Sequence, residues 1–256
     1  QPLAVRLHAH AVAAVARQVA GYMAAGFVHG VLNSDNINVT GESFDYGPWR
    51  FLPRNDPNFV AAYFDHAGLY SFGRQPEALF WNLARLAESL VPLFDADINA
   101  GVDFAQETIN GFQEKFATQR RSDIAAALDT TTEVASAYLT AMQLSRPDIT
   151  LAHRALADAA RGHTLPAQEL FTGTDFLDSY LATHPAPDAV DAAMPRVISR
   201  NMAVEAALRA GHARLMAGAP AMDAVTAAVT VLALALRHTE QLVARASNPV
   251  RRPLAA

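Results

Sequence analysis

Apolar positions at the start of the chain recur every three or four places. Val12, Val15, Val19 and Met23 fall on one stripe, and Gly26 stands where a helix would stop, so the spacing predicts a helix over residues 3–23. The pattern then changes. Ile37-Asn38-Val39 and Ser43-Phe44 flank Thr40-Gly41-Glu42, which predicts a short β-hairpin. Residues 48–57, rich in Pro, Asp and Asn, predict irregular chain. A short helix is expected over 58–64 and a longer one over 76–90, with Leu79, Leu83 and Leu86 on one face. Helical periodicity dominates afterwards, over 101–118, 122–142, 148–161, 167–171, 176–183, 187–194, 204–216 and 221–246. Breaks fall at Thr164-Leu165-Pro166 and His184-Pro185. No repeat or low-complexity linker interrupts the run, so residues 1–247 are predicted as one mainly α domain and 248–256 as a frayed tail.

Composition sharpens this picture in a few places. With 256 residues, 51% of them apolar and many of these Ala, the chain can bury a sizeable core and favours helix. The net charge of −5 carries no concentrated basic face, so nucleic acid is not an expected partner. The pairs Arg120-Arg121 and Arg251-Arg252 read as solvated ends. There is no cysteine, which excludes disulfides, Cys-zinc sites and thiol catalysis. The longest apolar run, residues 224–236, is shorter than the ~20 residues that span a bilayer. It predicts a buried helix, no membrane partner and a cytoplasmic location. The histidines lack ligand spacing; His8 and His10 lie two apart, which does not aim both at one metal from a helix.

The chemistry concentrates in His29-Gly30-Val31-Leu32-Asn33-Ser34-Asp35-Asn36, with Asp45-Tyr46-Gly47 following nine residues after Asn36. Kinase-like phosphotransferases place an Asn after the catalytic loop and an Asp in a later D-x-G, and the two oxygens grip Mg²⁺ on ATP phosphates. Asn36 and Asp45 keep that spacing, and hard oxygen donors suit Mg²⁺ or Mn²⁺. The competing reading makes both of them turn residues, which is what Asx residues commonly are. Val31 stands where aminoglycoside-kinase-like relatives carry the catalytic Asp, and a Val cannot accept a proton. The nearest spare carboxylate is Asp35. His29 is expected to pack beneath the loop and bond backbone. Asp65, His66 and Arg74 offer no serine nucleophile a relay, and Phe59, Tyr63, Phe64, Tyr70, Phe72, Phe80 and Trp81 read as core.

These residues carry a family resemblance. The loop from His29 to Asn36, the Asp45-Tyr46-Gly47-Pro48 turn, the run Asp65-His66-Ala67-Gly68-Leu69-Tyr70-Ser71-Phe72-Gly73-Arg74-Gln75-Pro76 and Trp81-Asn82-Leu83-Ala84-Arg85-Leu86-Ala87 resemble the SelO (YdiU) family. That family comprises protein-kinase-like pseudokinases that transfer AMP from ATP to protein hydroxyls. The resemblance is dense over residues 26–90, with echoes at 146–160 and at Pro195-Arg196-Val197-Ile198-Ser199-Arg200-Asn201. It implies a kinase-like large lobe, helical, with a short β-hairpin carrying the metal loop. It also implies Asn36 and Asp45 as metal ligands, Asp45 in nucleotide binding, and Asp35 as the base that activates a Ser, Thr or Tyr hydroxyl. ATP, Mg²⁺ or Mn²⁺ and protein substrates follow as partners.

Two departures accompany it. Some family members carry a redox-active Cys or selenocysteine near the C-terminus, and this chain has none. Its single lysine, Lys115, lies downstream of the motif, whereas kinase-like enzymes hold phosphates with an upstream Lys under a Gly-rich loop. The expectation is therefore a large lobe whose small, N-terminal lobe is a missing partner, inactive by itself. The alternative is a non-catalytic helical remnant that binds proteins.

Overall fold

The computed structural model describes residues 2–43 and 45–193. Helix α1 (Leu3–Ala25) is the axis of the core. From Ala11 to Met23 it is buried on nearly every side, and a helix apolar all round belongs inside a protein. Its many alanines let α2 (Gln75–Phe94) and α4 (Phe112–Ala127) lie against it. Gly26 ends it as the sequence predicts, in a left-handed conformation with φ +67° whose N–H donates to the Tyr22 carbonyl. A Cβ there would meet Ile149 Cδ1 at 2.5 Å, so both conformation and space require glycine.

The chain then forms β1 (Phe27–Val28), which pairs antiparallel with β2 (Arg50–Phe51), Phe27 opposite Phe51 and Val28 opposite Arg50. Arg50–Phe51 lies in the stretch expected to be irregular. The expected hairpin over residues 37–44 is reduced, among the described residues, to one antiparallel bridge, Ile37 to Ser43, around the turn in which Gly41 N–H donates to Asn38 O. The strand pair thus encloses the whole motif.

Residues 58–64 contain no helix. Asp56 caps the Asn58 amide and Phe72 N–H donates to Phe59 O, so turns and loop pairing take the backbone groups a helix would have used. Helix α2 is longer than expected. Two expected helices are each divided. Helix α3 (Ile98–Asn110) gives way to α4 at Gly111. α4 gives way to α5 (Thr132–Ser145) at Asp129, whose φ is +50°, and at Thr131, whose hydroxyl caps Val134 N–H. Helices α6 (Ile149–Ala160), α7 (Leu165–Leu170), α8 (Phe176–Leu181) and α9 (Pro187–Ala193) fall close to their expected places. The helices expected over 204–216 and 221–246, the tail and the Pro195–Asn201 echo lie outside the described residues. Among the described residues no helix is long and apolar enough to cross a membrane.

Candidate functional site

The motif is a loop whose ends β1 and β2 tie together; α2 holds its first half and α1 its second. His29 is fully buried. Its Nδ1 faces the Val31 N–H at 3.4 Å, and its ring lies among Tyr22, Phe27 and Tyr46. The carboxamide of Gln75, at the start of α2, grips the backbone on either side of Val28: Gln75 Nε2 donates to Phe27 O at 2.9 Å, and Oε1 accepts from His29 N–H at 3.0 Å. Gly30 turns the chain with φ +88°, and a Cβ there would press on Ala61 and Pro48 at 3.1 Å.

Asp35 and Asn36 follow on a single 3₁₀ turn, Ser34–Asn36. Asn82, one α2 turn beyond Ala78, fixes its entry. Its Nδ2 donates to Leu32 O and Ala78 O, and its Oδ1 accepts from the Ser34 hydroxyl. Asn36 Nδ2 donates back to Val31 O at 3.0 Å. The bond orients the carboxamide, so that the amide oxygen points away from the Val31 carbonyl. Position 31 therefore contributes its backbone where it has no reactive side chain.

Past Asn36 the loop lies on α1. Tyr22 donates its phenol proton to the Ser43 hydroxyl and accepts from Gln18 Nε2 at 2.8 Å. Gly41, with φ +83°, sits on the α1 backbone, where a Cβ would be 2.8 Å from Ala14 O. The Ile37–Ser43 bridge sets the residue that follows Asn36 beside Ser43, two places before Asp45. Asp45 has φ +50°, in the left-handed region that Asp tolerates better than most residues. Its carbonyl accepts from Gly47 N–H at 2.8 Å. The side chains of Asp35 and Asp45 are exposed and that of Asn36 is partly so. Among the described residues no group of three or more His, Cys, Asp or Glu side chains converges on one point.

A cleft of about 720 Å³ opens beside Asp35, between residues 32–35 and the start of α2, with Leu69, Tyr70 and Trp81 among its walls. Tyr70 donates to Asn33 Oδ1 across it. Partial burial and then the charges of Asp65 and Asp35 raise the Tyr70 phenol above its usual range, so it stays protonated. Trp81 is exposed with the Arg85 guanidinium over its ring, and Tyr63 and Phe64 form an exposed edge-on pair. Those three are surface residues, against the expectation of core; Phe72 is buried as expected, while Phe59, Tyr70 and Phe80 pack partly buried against it. Asp65 and Arg74 form no relay. Asp65 caps the Leu69 and Tyr70 amides, and Arg74 pairs with Glu77.

Gln75, Asn82, Tyr22 and Gln18 were not singled out by sequence. A signal existed for two of them. Gln75 and Asn82 share the stripe of Ala78, Leu79 and Leu83 on α2, and a polar amide on an apolar stripe has to find partners inside.

Comparison with known proteins bears on the same segment. Residues 3–156 match the family model described as Protein adenylyltransferase SelO. The chain is 40% identical over 219 residues to the Protein nucleotidyltransferase YdiU of Rhodopseudomonas palustris (strain BisB5), an alignment covering 77% of this chain and 44% of that protein. It is 39% identical over 208 residues to the YdiU of Mycolicibacterium smegmatis, covering 78% and 42%. With the YdiU of Corynebacterium efficiens it shares 39% over 201 residues, covering 76% and 40%. The chain spans less than half the length of these curated relatives.

Proposed function

This chain belongs to the SelO family of protein nucleotidyltransferases, and we propose that it carries the metal-binding and acceptor-activating part of an enzyme that moves AMP from ATP to a Ser, Thr or Tyr hydroxyl of another protein. The proposed architecture is the helical large lobe of a kinase-like fold, completed by a small lobe. The observation that supports this best is the Ile37–Ser43 bridge, which turns the chain back between Asn36 and Asp45, with the exposed Asp35 lining the cleft.

The residues fit a hard divalent cation. The Asn36 amide oxygen and the Asp45 carboxylate are oxygen donors of the kind Mg²⁺ or Mn²⁺ takes, and nucleotide phosphates and water complete such a shell. Bound there, the cation neutralises charge on the phosphates. Asp35 orients the acceptor hydroxyl and takes its proton as the hydroxyl oxygen bonds to the α-phosphorus. The bond from that phosphorus to the bridging oxygen breaks, and pyrophosphate leaves with the electron pair. The cleft admits the acceptor segment, and the exposed Leu69 and Trp81 offer apolar contact to side chains beside the target hydroxyl.

With Lys115 as the only lysine, transfer by the 256 residues alone is expected to be slow, while metal binding is expected to persist. Electron paramagnetic resonance of Mn²⁺ with ATP tests the site: Asp45→Ala and Asn36→Ala should each weaken binding at least about tenfold, as loss of a charged or oriented oxygen ligand does. Unchanged binding in both variants removes the metal site. Any label transferred to protein should come from α-labelled ATP and vanish in Asp35→Asn; label from γ-labelled ATP alone refutes adenylyl transfer.

A further inference from the structure

A second cavity, of about 420 Å³, lies between α4, α5, the start of α6 and the loop at Asn55–Pro57. Two arginines line it, Arg120 from α4 and the exposed Arg146, and no Asp or Glu among the described residues does so. Arg120 is not the solvated end that its pairing with Arg121 suggested. It lies within α4, half-buried, and its Nε is sealed from solvent without a hydrogen-bond partner among the described residues. Tyr138, in α5, is buried too, and its sealed hydroxyl has no hydrogen-bond partner among the described residues. The next acid along α4, Asp123, accepts from Gln119 Nε2 at 2.7 Å instead. Burial pulls the Arg120 guanidinium down to about 10, with the Tyr138 phenol acting weakly the other way.

A guanidinium partly withdrawn from water, with no counter-charge among the described residues, is costly, and proteins meet that cost with a paired anion or a bound ligand. Guanidinium N–H groups form a planar fork that matches two oxygens of a carboxylate or phosphate. The remaining walls are mixed, with Met23, Phe72, Ile124 and Ile149 beside the polar Asn55 and Gln143, and the volume falls in the range of small-molecule sites. We propose that this cavity binds a small organic anion, a carboxylate or phosphate monoester on an apolar body, through the Arg120 guanidinium, with Arg146 adding positive charge. The site lies apart from Asp35, Asn36 and Asp45, and it stands whether or not the chain transfers AMP.

The test is calorimetric titration of the full chain with phenyl phosphate, phenylacetate, inorganic phosphate and benzyl alcohol. One or both phenyl anions should bind, and whichever binds more tightly identifies the headgroup. Inorganic phosphate should bind more weakly for want of the body, and benzyl alcohol should not bind. Arg120→Met should lose at least about tenfold in affinity, the scale of a charge-assisted pair, while Arg120→Lys should retain part of it. Asp45→Ala should bind as the parent does. If Arg120→Met fails to fold, Arg120→Lys decides, since weaker binding supports the site and equal binding overturns it. Equal affinity in parent and Arg120→Met, or no binding of either phenyl anion at millimolar concentration, also overturns it.

Discussion

Replacing Gln75 tests whether one side chain of α2 holds the motif in place. Its carboxamide is fully buried and meets one backbone acceptor and one backbone donor, at Phe27 and His29. Gln75→Met keeps the length and most of the packing and removes both bonds. Two buried backbone groups lose these partners, at about 1–3 kcal/mol each, so the expected loss is about 2–6 kcal/mol against a typical total of ~5–15 kcal/mol. Equilibrium urea unfolding followed by circular dichroism at pH 7 measures it, with the slope unchanged if the unfolded surface is the same. Gln75→Glu adds a sign test. The neutral acid can donate to Phe27 O and accept from His29 N–H, whereas the carboxylate faces the Phe27 oxygen without a proton. Its folded pKa is thus expected above the ordinary ~4.3. Stability close to that of the parent should be present below that pH and lost as pH rises through the higher folded value. A Met variant within about 0.5 kcal/mol of the parent, the size of an ordinary neutral substitution, would refute the role, as would a Glu variant whose deficit ignores pH.

Burial lowers the pKa of His153 to about 4, which the Ile149 backbone opposes only in part. The unfolded chain, with an ordinary value of ~6.5, therefore takes up protons first, and stability falls with pH across that window. Between pH 7 and pH 5 the loss from this residue is about 2 kcal/mol. His153→Leu should flatten the urea-measured slope by that amount, leaving the smaller contribution of His8, whose pKa burial also lowers; an unchanged slope contradicts the assignment. Gly41→Ala places a methyl against the Ala14 carbonyl and asks Ala to hold φ +83°, at a cost of about 2–4 kcal/mol. It should also weaken Mn²⁺ binding, whereas Gly47→Ala, with nothing within 4 Å of the new methyl, should leave stability nearly unchanged. Equal effects of the two substitutions would contradict the docking of the loop on α1.

The periodic stretches were legible from sequence because burial imposes the period: α1, α2 and α6 fall where their apolar stripes predict. The junctions were less so. Gly111 keeps φ −70° and ψ −9° between α3 and α4, close to helical geometry, so local pattern hardly distinguishes it from a continuing helix. Asp129 and Thr131 divide the next pair by a left-handed residue and a hydroxyl cap, signals that a strong apolar period overshadowed. The β1–β2 pair rests on a contact between residues more than twenty apart, which no local period encodes. At the site, residue types and offsets pointed to Asp35, Asn36 and Asp45, but their supports could not be read. Gln75 and Asn82 act through backbone partners some fifty residues away. Arg120 looked like a surface charge until the cavity around it was seen.

The clasp at β1 and β2 has a consequence for the timing of order. The motif's ends are joined by strand pairing, its entry is held by Gln75 and Asn82, and its far side rests on Tyr22 and Ala14. Its backbone is therefore arranged when the helices assemble. The nucleotide proposed for this site would meet a loop already in place, and the conformational entropy given up in shaping the loop would not be given up again on binding.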